Sequence, residues 1–446
     1  MNAPYRLSDP PEHGSDLPEA VDLAVIGGGV IGVTTALFAA RAGLRVAVLE
    51  KGRVAGEQSS RNWGWVRVQG RDVSEIPVAQ DAQEIWKALD AEAKGRLGLR
   101  QTGVTYLART DADAKRHSDW LSTAQPFGVS SRMLSRAETH TLMGNARVDW
   151  QSALHTPTDM VAEPWQAVPE LARMAMQAGA TIIERCAVRG LDVSAGRVTG
   201  VVTERGRLRA EQVVLAGGAW SSLLLRRHGI DIPQLSVRST ALATNPLPQM
   251  LASAAVDDRL ALRPRRDGGY TLAPGSYSEL FLGPDMLRHI RRYIPTAMSG
   301  EFEVHLRLPA PRGYPDAFST PRNWEFDGPS PFEAMRILNP APSLAKASEL
   351  KRLLAQAYPQ FGHVTTQAAW AGMIDVLPDV VPIVDRADAL PGLIVATGMC
   401  GHGFGIGPAY GRILSDLIQE KEVRHDLACF SLLRFSGRDT PKRDPT

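Results

Sequence analysis

The chain is poor in cysteine. Its 446 residues hold three, Cys186, Cys400 and Cys429, far apart and with no CxxC pair. Such spacing builds no metal framework and suits a reducing compartment. A charge excess is missing too: 50 Lys and Arg stand against 48 Asp and Glu, a net +2. With the arginines scattered and no basic block, nothing marks a nucleic acid binder. No apolar run is long enough to span a bilayer, because the one near the start is broken by Asp22 and by glycines. Residues 1–20 are polar, acidic and proline-bearing, without the charged start and apolar core of a secretory leader. They are expected to form a flexible tail, and the protein to be cytoplasmic with no transmembrane segment. No tandem repeat, Ser-His-Asp set or metal-ligand cluster is evident. What remains is an ordinary globular composition, 44% hydrophobic and 22% charged, over a length that suggests about two to three domains.

Residues 21–50, VDLAVIGGGVIGVTTALFAARAGLRVAVLE, carry the strongest pattern. A buried-strand run is followed by Gly27, Gly29 and Gly32, then an apolar helix, a turn at Gly43, a second strand and Glu50. The first glycine permits a tight turn. The second lets backbone approach a pyrophosphate, and the third lets helix and strand pack closely. The helix N-terminus offers free N–H groups and a positive dipole end to phosphates. Glu50 stands where a carboxylate accepts from a ribose 2′-hydroxyl and repels a 2′-phosphate, which disfavours NADP. Strand before, helix after and acid at the right distance together mark a dinucleotide site.

Residues 51–72, with glycine, serine, arginine and two tryptophans, read as a loop beside that site. Helices are expected at 73–91, 111–125, 135–143, 165–178 and 343–358, and a strand at 101–109. Residues 144–164 read as irregular. From 180 the pattern becomes strand-rich, TIIER, AVRGLDVS, RVTGVVTE and RLRAEQVVLAGG, for which a β-meander is the simplest reading. Strand-like pieces follow at 236–244 and 269–273, and 299–342 is rich in Pro and Arg. A short strand at 393–396 leads into the loop TGMCGHGFGIGP and a helix at 410–420 starting just after Pro408. Three glycine-rich strand ends, far apart in sequence, suggest one cofactor held by a discontinuous domain and covered by a second.

Taken together, VIGGGVIG with Glu50, SSRNWGWVR, VVLAGGAWS and TGMCGHGFGIGPAYG resemble the D-amino-acid-oxidase superfamily of FAD-dependent oxidoreductases, in particular its sarcosine- and glycine-oxidase-like branch. The likeness covers nearly all of the chain after residue 20. It implies an α/β fold with an α+β cap: a discontinuous Rossmann-like FAD-binding domain with a β-meander, and a substrate domain on an antiparallel sheet with helices. The expected boundaries are 21–90 with 150–222 and 366–425 for FAD, 91–149 with 223–365 for the cap, and 426–446 as a C-terminal tail. By resemblance, Gly27, Gly29, Val30, Ile31 and Gly32 hold the FAD pyrophosphate, with Glu50 and Lys51 at the adenosine ribose. Ser59, Ser60 and Arg61 lie along phosphates and flavin. Val188 meets adenine through its backbone, and Ala216, Gly217 and Trp220 line the cofactor. Gly401, Gly403, Phe404, Gly405 and Ile406 face the flavin pyrimidine edge from a helix start. Some relatives bind flavin covalently; the matching position here is Gly372, so non-covalent FAD is expected. Gly405 and Thr271 stand where sarcosine oxidases carry lysines that meet substrate and activate oxygen, which leaves the electron acceptor open between O2 and another carrier.

The flavin carries the difficult step. The expected reaction takes hydride from a carbon beside an amine nitrogen onto flavin N5, and the imine then hydrolyses. The substrate is expected to be a small amine or amino acid, a secondary amine or N-substituted amino acid fitting best. An arginine suits a carboxylate because it donates two parallel hydrogen bonds. Arg67 is the first candidate, against a loop or flavin-contact role, and Arg336 the second, against a surface ion pair. Arg263 and Arg265 precede the DGGY turn and are further candidates. His402 contacts flavin or polarises substrate, or is structural. Trp63 and Trp65 wall a substrate portion or pack under the loop, and Cys400 reads as a small buried filler. Other readings are a 2-hydroxy-acid dehydrogenase on the same fold, with His402 as base, and a flavin-containing binding or assembly protein without turnover. A nicotinamide enzyme has no need of the second glycine loop. Gly29→Val is expected to abolish flavin retention by blocking backbone approach to the pyrophosphate, read as the ratio of flavin to protein absorbance; a fully yellow variant refutes the fingerprint.

Overall fold

The computed structural model describes residues 10–299 and 303–435. Of the tails expected at 1–20 and 426–446, residues 1–9 and 436–446 lie outside the described residues. Apart from Asp22, residues 21–26 are apolar toward both faces, which suits a parallel strand covered on both sides. This segment is Ala20–Ile26, flanked in parallel by Val46–Leu49 and Gly206–Leu215 within an eight-stranded sheet. Leu393–Thr397 lies parallel to Gly206–Leu215 in turn. Register pairs Ile26 with Leu49 and Leu215, and Leu215 with Val395. Four strands distant in sequence therefore end in one row, and the turns that follow them emerge side by side.

Helices Val30–Arg41, Ile76–Glu92, Pro164–Gln177 and Gly403–Ile418 share one core against this sheet. The first and last come close because Gly407 and Gly411 have no side chains. A Cβ on Gly411 would lie 2.3 Å from Thr34 Oγ1, which donates to the Gly407 carbonyl at 3.1 Å. The second sheet has ten strands and is built on Leu235–Thr244, which pairs antiparallel with Tyr270–Ala273, Tyr277–Leu282 and Thr366–Val376. It is mixed rather than antiparallel as expected. Ala254–Val256 runs parallel to Val104–Ala108, and Tyr277–Leu282 runs parallel to Glu303–Pro309.

Several expectations are corrected. TIIER does not join the meander: Thr181–Ile183 pairs in parallel with Val46–Leu49 at the opposite edge. Residues 144–164 are not irregular throughout. They contain Ser152–Thr156, which pairs with Val104–Ala108, and Met160–Val161, in a small three-stranded sheet. Residues 152–156 and 366–376, expected with the cofactor domain, thus belong to the second sheet. The last long helix starts at Gly403, not after Pro408, which lies inside it. The described part of the N-terminal segment is packed: the Glu184 carboxylate accepts from the backbones of His13 at 2.9 Å and Val54 at 2.6 Å. So is the C-terminal segment to Phe435, with Phe430 and Phe435 buried and Arg434 on Asp379 at 2.7 Å. Among the described residues, no helix is long and apolar enough to cross a membrane, and no group of three or more His, Cys, Asp or Glu is placed to hold a metal.

Candidate active site

The row of strand ends opens on a cavity of about 730 Å³, within the range of cofactor sites. At the end lined by the first glycine turn, Gly27 has φ +111° and a Cβ there would lie 2.4 Å from the Ala216 carbonyl oxygen. Gly29 caps the helix Val30–Arg41, whose first N–H, that of Val30, donates to Ser59 Oγ at 2.9 Å. With Ile31, these residues line the cavity and leave bare backbone where a diphosphate needs N–H donors.

Glu50, Lys51, Val188 and Trp220 line the next section. The Glu50 carboxylate accepts from Gly28 N–H and Gly52 N–H, both at 2.7 Å. Burial pushes its pKa up to about 7, against the pull of Lys51 and the two N–H groups. Lys51 is held by Glu57 at 2.5 Å and lies 4.4 Å from the Trp220 ring, while Trp220 Nε1 also donates to Glu57 at 3.1 Å. Arg61, lowered to about 10 by burial, donates to the Gly56 carbonyl at 2.5 Å and Asn339 Oδ1 at 2.8 Å.

Ala216, Gly217, Gly372, Gly401, Gly403 and Phe404 line the section toward the second sheet. Gly372 faces Arg61, whose Cβ would be 3.2 Å from an added Cβ. Cys400 and Gly401 both have positive φ, 48° and 80°, and turn the chain into the helix Gly403–Ile418. The Cys400 thiol is raised by burial, then by Asp375, and donates to the Gly398 carbonyl at 3.0 Å; it is a protonated filler, not a nucleophile. Asp375 was not singled out in the sequence. It is buried, accepts from Gly398 N–H at 2.8 Å and Gln234 Nε2 at 3.1 Å, and is raised by burial.

At the far end the cavity is charged. Arg67 donates to the Gln69 carbonyl and lies 5.5 Å from the Tyr106 ring. Arg71 is buried at 3% exposure, is lowered to about 10 by burial and by Arg67, and has an Nη1 with no hydrogen-bond partner. Glu75 is fully buried. Burial works against its charge, but His402, Arg71 and Arg67 outweigh that and hold it below its ordinary value. His402 Nδ1 lies 3.2 Å from Glu75 Oε2 in a poorly aligned contact. Burial, reinforced by Arg71, lowers His402 to about 4, so the imidazole is neutral near pH 7. Orphaned buried polar atoms of this kind gather at sites meant for a ligand.

Seven expected residues do not line the cavity. Gly32 serves packing, since its Cβ would be 2.0 Å from the Gly27 carbonyl oxygen. Ser60 is buried under Arg61, Gly405 accepts from Trp86 Nε1 at 2.9 Å, and Ile406 is in the core. Arg336 is corrected as a substrate candidate: it pairs with Glu204 at 2.6 and 2.8 Å and donates to the Lys51 carbonyl. Arg263 and Arg265 fail likewise, tied to Glu163 at 3.0 Å and to Asp267 with Gln367. Thr271 lies against Arg263, Trp63 and Trp65, away from the main cavity. Arg67, His402, Trp63 and Trp65 do line it. Arg71 and Glu75 went unnoticed although four residues apart at a helix start; Tyr106 and His117 carry no local signal.

The family described as FAD dependent oxidoreductase, DAO, matches residues 22–417. Sarcosine oxidase subunit beta of Arthrobacter sp is 26% identical over 443 residues, 95% of each chain. Mitochondrial sarcosine dehydrogenase of Homo sapiens is 29% identical over 269 residues, 58% of this chain but only 29% of that protein. The structure of L-amino acid deaminase from Proteus vulgaris superposes with a TM-score of 0.89 at 26% identity, covering 96% of this chain and 100% of that one.

FAD fits these residues: bare backbone at Gly27 and Gly29 for phosphate, a buried carboxylate for ribose. A hydroxyl donates better to an ionised carboxylate, so binding favours charged Glu50. Below the raised value of about 7, FAD affinity is expected to fall by up to about tenfold per pH unit and to level off above it. In the FAD-free protein the sign for stability is opposite, the raised group favouring the folded state at low pH and losing that contribution as pH rises through about 7. Titrating apoprotein with FAD from pH 5.5 to 8.5 checks this; Glu50→Gln is expected to flatten the profile.

Proposed function

We propose, for a chain that belongs to the DAO family of FAD dependent oxidoreductases, that it oxidises the C–N bond of an amino acid or a carboxylate-bearing amine. When bound, FAD supplies the hydride acceptor. The chain's own residues hold the substrate and set its protonation. The observation that carries this reading is the pair Arg67 and Arg71 at one end of the same cavity as the glycine cradle, Arg71 with a buried donor left over. Two guanidinium groups attract a carboxylate, and Arg geometry allows paired hydrogen bonds. Glu75 offsets part of their charge, so the end of the cavity is cationic without being an open anion trap.

His402, neutral near pH 7, offers an acceptor nitrogen rather than a positive charge. That suits a substrate N–H and does not repel an ammonium. Trp63 and Trp65, edge to face at 5.2 Å, wall the cavity with apolar surface and exclude water from the reacting carbon. Gly372, which has no side chain to bond, and the raised Cys400 thiol support non-covalent FAD. The names of the relatives, sarcosine oxidase subunit beta and L-amino acid deaminase, support an amine or amino-acid substrate, with a secondary amine such as an N-methyl amino acid a fitting first choice.

The test is anaerobic mixing of the purified flavoprotein with primary and N-substituted amino acids, and with 2-hydroxy acids as the contrast. Amines are expected to bleach the visible flavin band; bleaching by hydroxy acids alone, or by nothing, sinks the reading. Repeating turnover with and without O2 separates an oxidase from an enzyme that uses another carrier. Arg67→Ala is expected to raise KM for carboxylate substrates by about 10- to 100-fold, equivalent to about 1.4–2.7 kcal/mol of lost binding, with flavin content retained. An unchanged KM removes Arg67 from the site.

A further inference from the structure

The described residues include twelve exposed large hydrophobics, and eight of them fall between 287 and 318: Leu287, Ile290, Ile294, Met298, Val304, Leu306, Leu308 and Phe318. Such clustering is unusual, since isolated exposed apolar side chains are ordinary but a contiguous set marks an interaction surface. The geometry explains why they share a side. Leu287, Ile290, Ile294 and Met298 recur at helical spacing along Pro284–His289, Ile290–Tyr293 and Ile294–Met298. The opposite face of those turns is docked: Met286 packs on Leu235 and Leu280, and Tyr293 Oη donates to the Pro233 and Val376 carbonyls. On the strand Glu303–Pro309, Leu306 pairs in register with Leu280, so it points to the face of the sheet that Met286 covers. Val304 alternates onto that same face, and Leu308 stands out at a bulge, where the register passes from Arg307 to Pro309.

Charge completes the surface. Arg288, Arg291 and Arg312 are exposed and have no carboxylate partner among the described residues. The nearby acids are engaged: Asp285 by Arg226 and Arg322, Asp316 by Arg322, Glu303 by His305. A second copy of this chain would set arginine against arginine. Leu308 at 85% and Met298 at 80% exposure stand out as knobs rather than forming a groove for a partner's side chain. Protruding apolar side chains with exposed arginines in the same segment match the boundary between acyl chains and anionic headgroups. We infer that this unit docks the folded protein onto an anionic lipid surface, without spanning it.

The test uses the full-length flavoprotein and sedimentation with vesicles, either phosphatidylcholine alone or phosphatidylcholine mixed with phosphatidylglycerol. Wild type is expected to bind the anionic vesicles, more weakly as salt is raised, and to bind the neutral ones poorly. Leu306→Glu with Leu308→Glu is expected to lower vesicle binding roughly tenfold or more. Arg288→Glu with Arg291→Glu should weaken binding by a similar factor, and Val193→Glu, an exposed site elsewhere, should leave it unchanged. Flavin content and amine-driven bleaching are read in parallel, so a misfolded variant is recognised and the result stands apart from the substrate assignment. Absence of binding to anionic vesicles overturns the inference, as does full binding by the Leu306/Leu308 variant. Concentration-dependent dimerisation that the same variant abolishes, without lipid binding, assigns the surface to a second copy instead.

Discussion

A Cβ on Gly27 would meet the Ala216 carbonyl oxygen at 2.4 Å, and the site depends on that space being left free. The two residues follow strands that are neighbours in the parallel sheet, and their backbones touch where those strands stop. Any other side chain at 27 would push the strand ends apart and adopt φ +111° only with strain. Because Ile26, Leu49, Leu215 and Val395 are aligned by register, spreading one pair would displace the whole row. The glycine cradle, Glu50 and the turn before residue 403 are therefore one geometric object, set by strand register rather than by any single bond.

The charged end is held differently. Arg71 and Glu75 are buried, and His402 is partly buried, without a full set of aligned hydrogen bonds. A buried ion pair is seldom a source of net stability, and removing one partner alone costs about 3–5 kcal/mol. Their retention in a cavity wall is thus better explained by a ligand that completes them than by folding. The same low dielectric that makes these groups costly makes them effective, since a substrate carboxylate placed there meets little screening. The neutral state of His402 belongs to this balance: a third positive charge beside Arg67 and Arg71 would be expelled.

What was readable in advance follows from range of interaction. Residues 21–50 were legible because strand, glycines, helix and acid lie within one local unit, each with its own steric or electrostatic signature. The helices at 76–92, 164–177 and 344–357 were legible from periodicity. By contrast, TIIER looks like any meander strand, and only its pairing with Val46–Leu49 takes it to the far edge. Ser152–Thr156 is short and is defined by Val104–Ala108, about fifty residues earlier. Pro408 signalled a helix start, yet the helix begins at the glycines before it, because tight packing of Gly405 on the Trp65 carbonyl and of Gly407 on Val30 requires small residues there. Arg336 was a carboxylate candidate weighed against an ion pair, and it is the ion pair that forms, but nothing local to it announces Glu204 as the partner.

Sequence distance also bears on how the site forms. The cradle helix and the closing helix meet through Thr34 and Gly407, 373 residues apart. Between them the chain completes the second sheet and returns through Thr366–Val376, which pairs along the full length of Leu235–Thr244. Contacts of such separation carry a large loop-closure entropy and form late. The cavity is incomplete until the last long helix docks, so the half at Gly27 and the half at Gly401 cannot be tested separately by folding. A ligand that touches both halves binds only the fully assembled form and stabilises it by mass action, about 2.7 kcal/mol at a hundredfold excess over its Kd. A cofactor seated there would in this sense be part of the fold, bridging strand ends that the backbone alone brings together only at the end of assembly.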